Sequence, residues 1–223
     1  MTDEFVEFTK IPRLSREVFI TEKIDGTNAQ VCIQEVNASE LTPQYGVFVS
    51  GAQNGDSPLW IRAGSRNRWV TPDNDNFGFA RWVYVNAAEL VKLGPGRHYG
   101  EWWGQGIQRG YGIDGKRFSL FNVHRWCAHN AEPWTFPSAD PRVTHTQTRA
   151  PECCHVVPVL YRGQFDTVLI DDCVRQMRER GSVASPGFMK PEGIIVYHTA
   201  GNLYFKKTLE KDEMPKALVG KVA

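Results

Sequence analysis

The 223-residue chain is 41% hydrophobic and 23% charged, an ordinary balance for a globular protein with enough length for a sizeable core. Its net charge of +1 excludes a whole-chain basic field, so any nucleic-acid binding must come from a local patch. No apolar run approaches the roughly 20 residues a membrane helix needs, and the acidic start Met1-Thr2-Asp3-Glu4 is unlike a secretion signal. The expectation is a cytoplasmic protein.

In chain order, residues 17–24 predict a strand, with Val18 and Ile20 around Phe19. Residues 29–36 alternate as a second strand, and Asp25-Gly26-Thr27-Asn28 between them is a turn-forming cluster. Lys23 is therefore expected at a strand end beside a tight turn. Residues 45–51 read as a short strand and 53–58 as a polar loop. Helical spacing from 76 to 93 (Phe77, Ala80, Val83, Tyr84, Ala87, Leu90, Val91) is stopped by Gly94-Pro95-Gly96. Strands are predicted at 98–103 and 117–124, separated by a glycine-rich loop at 104–110. Residues 132–154 hold four prolines and read as a long loop. An amphipathic helix follows at 166–180, ending at Gly181, and paired strands at 193–197 and 202–209 close the pattern. The fold class is α+β, one domain over 1–223, dominated by antiparallel strands.

The five cysteines (Cys32, Cys127, Cys153, Cys154, Cys173) are odd in number and form no Cys-x-x-Cys pair. This favours free thiols in a reducing compartment. Adjacent Cys153 and Cys154 are poorly spaced for one tetrahedral metal site, so they read as small buried hydrophobes.

Six segments could carry chemistry. Lys23 lies two residues before Asp25 and three before Gly26. A nucleophilic lysine must lose its proton, which burial or a nearby cation assists; alone, the segment fits a surface lysine equally well. Ser65-Arg66-Asn67-Arg68 offers two guanidinium forks for phosphate or carboxylate. Tyr99-Gly100-Glu101-Trp102 sets an acid in an aromatic strand, suited to ribose hydroxyls, a metal or a plain ion pair. Phe118 to Val123 could stack an aromatic on a purine or simply fill a core. Glu192 precedes Gly193 and an apolar strand. Lys206 and Lys207 are adjacent on a late strand, where alternation sends them to opposite faces.

Taken together and in this order, these segments resemble the covalent nucleotidyltransferase superfamily of RNA ligases, DNA ligases and capping enzymes. They are most similar to the RNA ligase family, including bacteriophage type 2 RNA ligases. Residues 22–28 look like its first motif, 65–68 its arginine motif, 99–102 its third motif and 118–123 the aromatic strand after it. Glu192-Gly193 looks like the fourth and 205–208 the fifth. The resemblance implies a nucleotidyltransferase (ATP-grasp-like) domain with antiparallel sheets flanked by helices. It implies an ATP-dependent enzyme with Mg2+ or Mn2+, in which Lys23 forms a covalent lysyl-AMP. The AMP passes to a 5′-phosphate on nucleic acid, RNA first of all, and a 3′-hydroxyl seals the joint.

The resemblance also implies roles. Glu22 helps read the adenine, Asn28 assists near the α-phosphate, and Arg66 contacts ribose or phosphate, with Arg68 as the alternative. Glu101 holds the ribose, Phe121 stacks on the adenine, Glu192 assists the metal, and Lys206 or Lys207 binds the α-phosphate. In many relatives the fifth motif is Lys-x-Lys; here the lysines are adjacent, and Phe-Lys-x-Thr favours Lys206. Only 16 residues follow Lys207, fewer than the roughly 50 of a small domain. The expectation is a bare catalytic domain with no C-terminal OB-fold, helped by its own surface or by a protein partner. Arg175, Arg178 and Arg180 on the late helix are candidates for phosphate contacts. A DNA ligase, a GTP-using capping guanylyltransferase and a non-catalytic nucleotide- or RNA-binding module are the alternatives.

Overall fold

Among the described residues, fifteen strands and three α-helices are built from these segments. The computed structural model describes residues 5, 7–35, 46–49, 59–137, 144–210 and 212; the loop expected at 53–58 lies outside the described residues. The first seven strands are β1 Glu17–Lys23, β2 Thr27–Glu35, β3 Val47–Val49, β4 Leu59–Ser65, β5 Trp69–Val70, β6 Gly96–Gly104 and β7 Lys116–Leu120. Five short strands follow: β8 Trp126–Cys127, β9 Thr135–Pro137, β10 Thr144–Thr146, β11 Thr148–Arg149 and β12 His155–Val156. The last three are β13 Val159–Gln164, β14 Gly193–His198 and β15 Leu203–Thr208. Helices are α1 Phe79–Val85, α2 Ala87–Leu90 and α3 Thr167–Arg180, with a 3-10 turn at Val91–Leu93. Among the described residues no helix is long and apolar enough to cross a membrane.

The chain forms two compact units. One consists of the chain up to Lys23, Pro158–Val183 and the segment from Met189 onward. Its sheet has the order β13-β1-β14-β15, antiparallel throughout. β1 is an interior strand, so Val18, Phe19, Ile20 and Thr21 are all buried. Val18, Ile20, Ile194 and Val196 pack on Cys173, Val174 and Met177 of α3. Those three recur at helical spacing, which turns one stripe of α3 onto the sheet. Asp166 caps the helix by accepting from Val168 N–H at 2.8 Å, and Gly181, at φ 78°, ends it.

The other unit is Ile24–Val157 with Ala184–Phe188. Its main sheet has the order β12-β7-β6-β2-β4-β3, with β5 pairing β4. Alternation sends Val31, Ile33, Ile61, Trp102, Phe118 and Leu120 to one face, where Phe79, Ala80, Val83 and Leu90 cover them. The opposite face carries the alternate residues of the same strands, most of them polar.

Some expectations are corrected. The helix expected from 76 to 93 starts only at Phe79, because Phe77 and Gly78 take positive φ (56° and 82°). It breaks at Asn86, whose side-chain amide donates to the Trp82 carbonyl at 2.8 Å and competes with the helical ladder. The strand expected at 117–124 stops at Leu120, where Phe121 and Val123 close a bend through a 2.8 Å bond. The long loop at 132–154 contains β9, β10 and β11 among its described residues. The cluster 25–28 closes no hairpin: β1 and β2 belong to different sheets, and Thr27 and Asn28 already lie in β2.

Candidate active site

In the four-stranded sheet, Lys23 is the last residue of β1, its side chain 20% exposed and its ammonium in contact with the Glu192 carboxylate. Glu192 is buried beside it. The next residue, Gly193, stands opposite Lys23 on one side and Thr208 on the other. A Cβ at Gly193 would come within 2.2 Å of the Lys207 carbonyl, so this row must stay bare in the middle.

The register separates the two late lysines. Lys206 pairs with Ile195, which pairs with Thr21, so Lys206 shares a face with Thr21 and Lys23. Lys207 pairs with Ile194, which pairs with Glu22, on the face that packs on α3. There its ammonium bonds Asp171 of α3 at 2.6 Å. Lys206 is exposed and has no ion-pair partner among the described residues.

Glu22 is 1% exposed. One carboxylate oxygen accepts from the Ser182 hydroxyl at 2.6 Å and the other from Val183 N–H at 2.8 Å. A buried carboxylate needs such donors, and here they fix the segment that follows α3. The basic face expected on α3 is partly committed: Arg175 pairs with Asp172 and Arg178 bonds the Leu209 carbonyl.

In the seven-stranded sheet, Asn28, Glu101 and Ser119 form one cross-strand row on the polar face. Gly26 N–H donates to Glu101 Oε1 at 3.1 Å. A Cβ at Gly26 would lie 2.5 Å from the Trp102 carbonyl and 2.7 Å from Trp103 Cβ, so only glycine lets the chain approach β6 this closely. Phe121, half-buried, continues that face one residue beyond the ladder, its N–H bonded to the Tyr99 carbonyl at 3.0 Å. Arg66 is exposed in the turn after β4. Arg68, two residues on, donates to the carbonyl and side chain of Asn74 at 3.3 and 3.0 Å. Each sequence-predicted residue is thus placed, with Arg68 and Lys207 tied to local partners.

Sequence reasoning passes over four further residues. Ser119 accepts from Trp103 Nε1 at 2.8 Å, and Ser182 holds Glu22. Arg109 Nε donates to Asp25 Oδ2 at 2.9 Å, and the Asp25 N–H donates to the Tyr111 hydroxyl at 2.8 Å. Tyr111 is buried against Trp103 and Phe188. The glycine-rich run at 104–110 was the available signal: Gly104, Gly106 and Gly110 all take positive φ, which lets the loop turn back on itself. Among the described residues no group of three or more His, Cys, Asp or Glu could cage a metal ion. Cys153 and Cys154 have their sulfurs 3.9 Å apart, and this hydrogen bond, followed by burial, pushes the Cys154 thiol far above its ordinary range. Cys154 belongs to the core of the larger unit, and the partly buried Cys153 packs against it.

The sequence model described as RNA ligase matches residues 16–211, most of the chain. This chain belongs to the RNA ligase family. Among solved structures it is similar to a glutamate-to-alanine mutant of Naegleria gruberi RNA ligase with AMP and Mn. That match has 17% identity and a TM-score of 0.51, covering 90% of this chain and 53% of that one. A lysine-to-alanine mutant of the same enzyme with ATP and Mn matches at 17% identity and a TM-score of 0.50, covering 89% and 52%. An apo lysine-to-alanine mutant matches at 18% and 0.50, covering 89% and 52%. This family member therefore spans about half the length of the Naegleria chains, and at such identities the likeness shows the fold. The comparison with curated proteins gives no match.

Proposed function

We propose that the protein is an ATP-dependent RNA ligase that works through a covalent lysyl-AMP. The observation that carries this reading is Lys23: it ends an interior strand, partly buried, against the Glu192 carboxylate. Lys23 holds the nucleophile's place in the motif series that the sequence resembles, and it lies within the residues 16–211 that the family model matches.

The unprotonated amine of Lys23 attacks the α-phosphorus of ATP. The P–O bond to the β-phosphate breaks, pyrophosphate leaves with that electron pair, and the amine's proton passes to solvent. A 5′-phosphate of RNA then attacks the same phosphorus and Lys23 leaves, giving an adenylylated end. Finally a 3′-hydroxyl attacks that end, AMP departs, and a phosphodiester is formed. The task of the protein is positioning and charge stabilisation. Lys206 stabilises charge on the α-phosphate from the face it shares with Lys23. The resemblance gives Asn28 a role near the α-phosphate, Glu101 one on the ribose, Phe121 one on the base and Arg66 one on ribose or phosphate. Glu22 acts through the segment it fixes at Ser182 and Val183.

A divalent cation, magnesium or manganese, supplies charge neutralisation on the triphosphate when bound. Glu192 is the residue to hold it, with substrate oxygens and water as the other ligands. A single carboxylate fits such an ion, which keeps much of its hydration and is seldom caged by protein alone.

The test is self-labelling. The protein is incubated with the metal and α-phosphate-labelled ATP or GTP, denatured, and assayed for retained label. Label from ATP and not GTP, lost in Lys23→Ala, is the expected result. Labelling from GTP would favour a capping enzyme, and no labelling with any metal would sink the reading. Nicked RNA, nicked DNA and single strands then define the acceptor.

A further inference from the structure

The polar face of the seven-stranded sheet continues well beyond Asn28, Glu101 and Ser119. The next row outward is Tyr99, Gln30, Gly64 and Trp69. Beyond it stand Arg97, Cys32 and Arg62, and then Gln34, Trp60 and Phe48. From Asn28 to Cys32 is four residues, about 13 Å along the strand. No acid occurs in these outer rows.

The cations on this face are held in place by neighbouring side chains. Arg62 stacks between two indoles, its Cζ 4.0 Å from the Trp69 ring and 4.5 Å from Trp60. Arg97 Cζ lies 5.4 Å from the centre of the Trp69 ring. Arg62 Nη2 donates to Gln34 Oε1 at 2.6 Å, and Arg97 Nη1 donates to Gln30 Oε1 at 3.3 Å. Neither guanidinium has a carboxylate partner among the described residues. Arg62 Nε is buried with no hydrogen-bond partner there. Gly64 has no room for a Cβ because the Gln30 side chain lies over it at 2.8 Å. Tyr99 and Phe48 are 47% and 43% exposed, flanking the arginines.

Flat aromatic surface, fixed guanidinium groups and an absence of acids suit one class of ligand. Arginine beside tyrosine, tryptophan and phenylalanine also occurs at protein interfaces; what favours a polyanion here is that both guanidinium groups lack a carboxylate partner among the described residues. A polynucleotide strand supplies phosphates for the arginines and base faces for the rings. We propose that this face is a track for a single polynucleotide strand, gripped by Arg62 and Arg97 and stacked on Tyr99 and Phe48. The choice of RNA as that strand rests on the ligase reading. The track is the local basic patch that a net charge of +1 requires of any nucleic-acid binder here.

Fluorescence anisotropy of a labelled, 5′-phosphorylated 12-nucleotide single-stranded RNA, titrated with the full chain at 50 to 200 mM salt, tests it. The wild type is expected to bind with a clear salt dependence. Arg97→Glu should weaken binding at least tenfold while circular dichroism and ATP self-labelling stay unchanged. Arg97→Gln should lower the log–log salt slope by about 0.7, the value for one phosphate contact on a single strand. Tyr99→Ala should weaken binding about tenfold with the slope unchanged, since stacking carries no counterion release. RNA binding by a folded Arg97→Glu protein at wild-type strength overturns the track. So does competition by polyglutamate as effective as unlabelled RNA, which marks a plain polyanion surface. A wild type that binds RNA through this face yet never self-labels with ATP overturns the ligase reading and leaves the track standing.

Discussion

In the four-stranded sheet one residue step separates Lys206, on the face it shares with Lys23, from Lys207, tied to Asp171 of α3. In the seven-stranded sheet the same step separates Glu101, on the polar face, from Trp102, buried under α1. Each sheet packs one face on its own hydrophobic cluster and carries polar groups on the other, where Phe19 and Thr21 of the smaller sheet are buried as well. They differ in what the polar face offers: the smaller sheet presents amines, the larger one presents hydrogen-bonding groups near Asn28 and arginines further out. The amines and the hydrogen-bonding groups thus stand over two different hydrophobic clusters, and substitutions in each should report separately.

The sharpest way to break the comparison is at the two lysines. Lys206→Ala should slow self-labelling from ATP by about a hundredfold, the scale of losing one group that stabilises developing charge. Lys207→Ala should leave the rate within about threefold and cost at most about 1 kcal/mol of stability, because its ion pair with Asp171 is largely exposed. The reverse ranking would show that the strand register does not decide the role. Next in size is Glu22→Ala, which removes the carboxylate that accepts from the Ser182 hydroxyl and Val183 N–H; urea unfolding should show a loss of about 3 kcal/mol. Gly26→Ala, in the other unit, forces a Cβ against the Trp102 carbonyl and should cost about 2 kcal/mol by the same measurement. A wild-type midpoint in that variant would mean β6 yields easily.

The smallest effect is with pH. Burial lowers the pKa of His98, which lies in the seven-stranded sheet. An imidazole held neutral in the fold binds a proton more readily once unfolded, so stability is complete above its ordinary pKa of roughly 6.5 and falls as pH drops through that value. Thermal melts at pH 7.5 and 5.5 should show the decline, and His98→Gln should flatten it. An unchanged pH dependence in the variant would remove His98 as the cause.

Much of this was legible in the residues. Lys23 at a strand end, Glu101 within an aromatic strand, and the limits of α3 at Asp166 and Gly181 follow from alternation, spacing and caps. The register was not legible, because it depends on which strands pair. Nothing local tells that β1 and β2, separated by a turn-forming cluster, enter different sheets. The Glu22 carboxylate finds its donors 160 and 161 positions away, and Asp25 finds Arg109 84 positions away. Contacts at such separations have no short-range signature. Phe121 leaves its strand because the bend at Asn122 is set by bonds that strand propensity ignores.

The tandem Lys206-Lys207 also has an evolutionary side. A strand alternates with a period of two, so a slip of one residue exchanges its faces. With lysines at both positions, either phase of β15 presents an ammonium on the side of Lys23. A lineage carrying the pair can therefore gain or lose one residue before this strand and still keep a cation on that face, a tolerance that two lysines spaced by one residue do not provide.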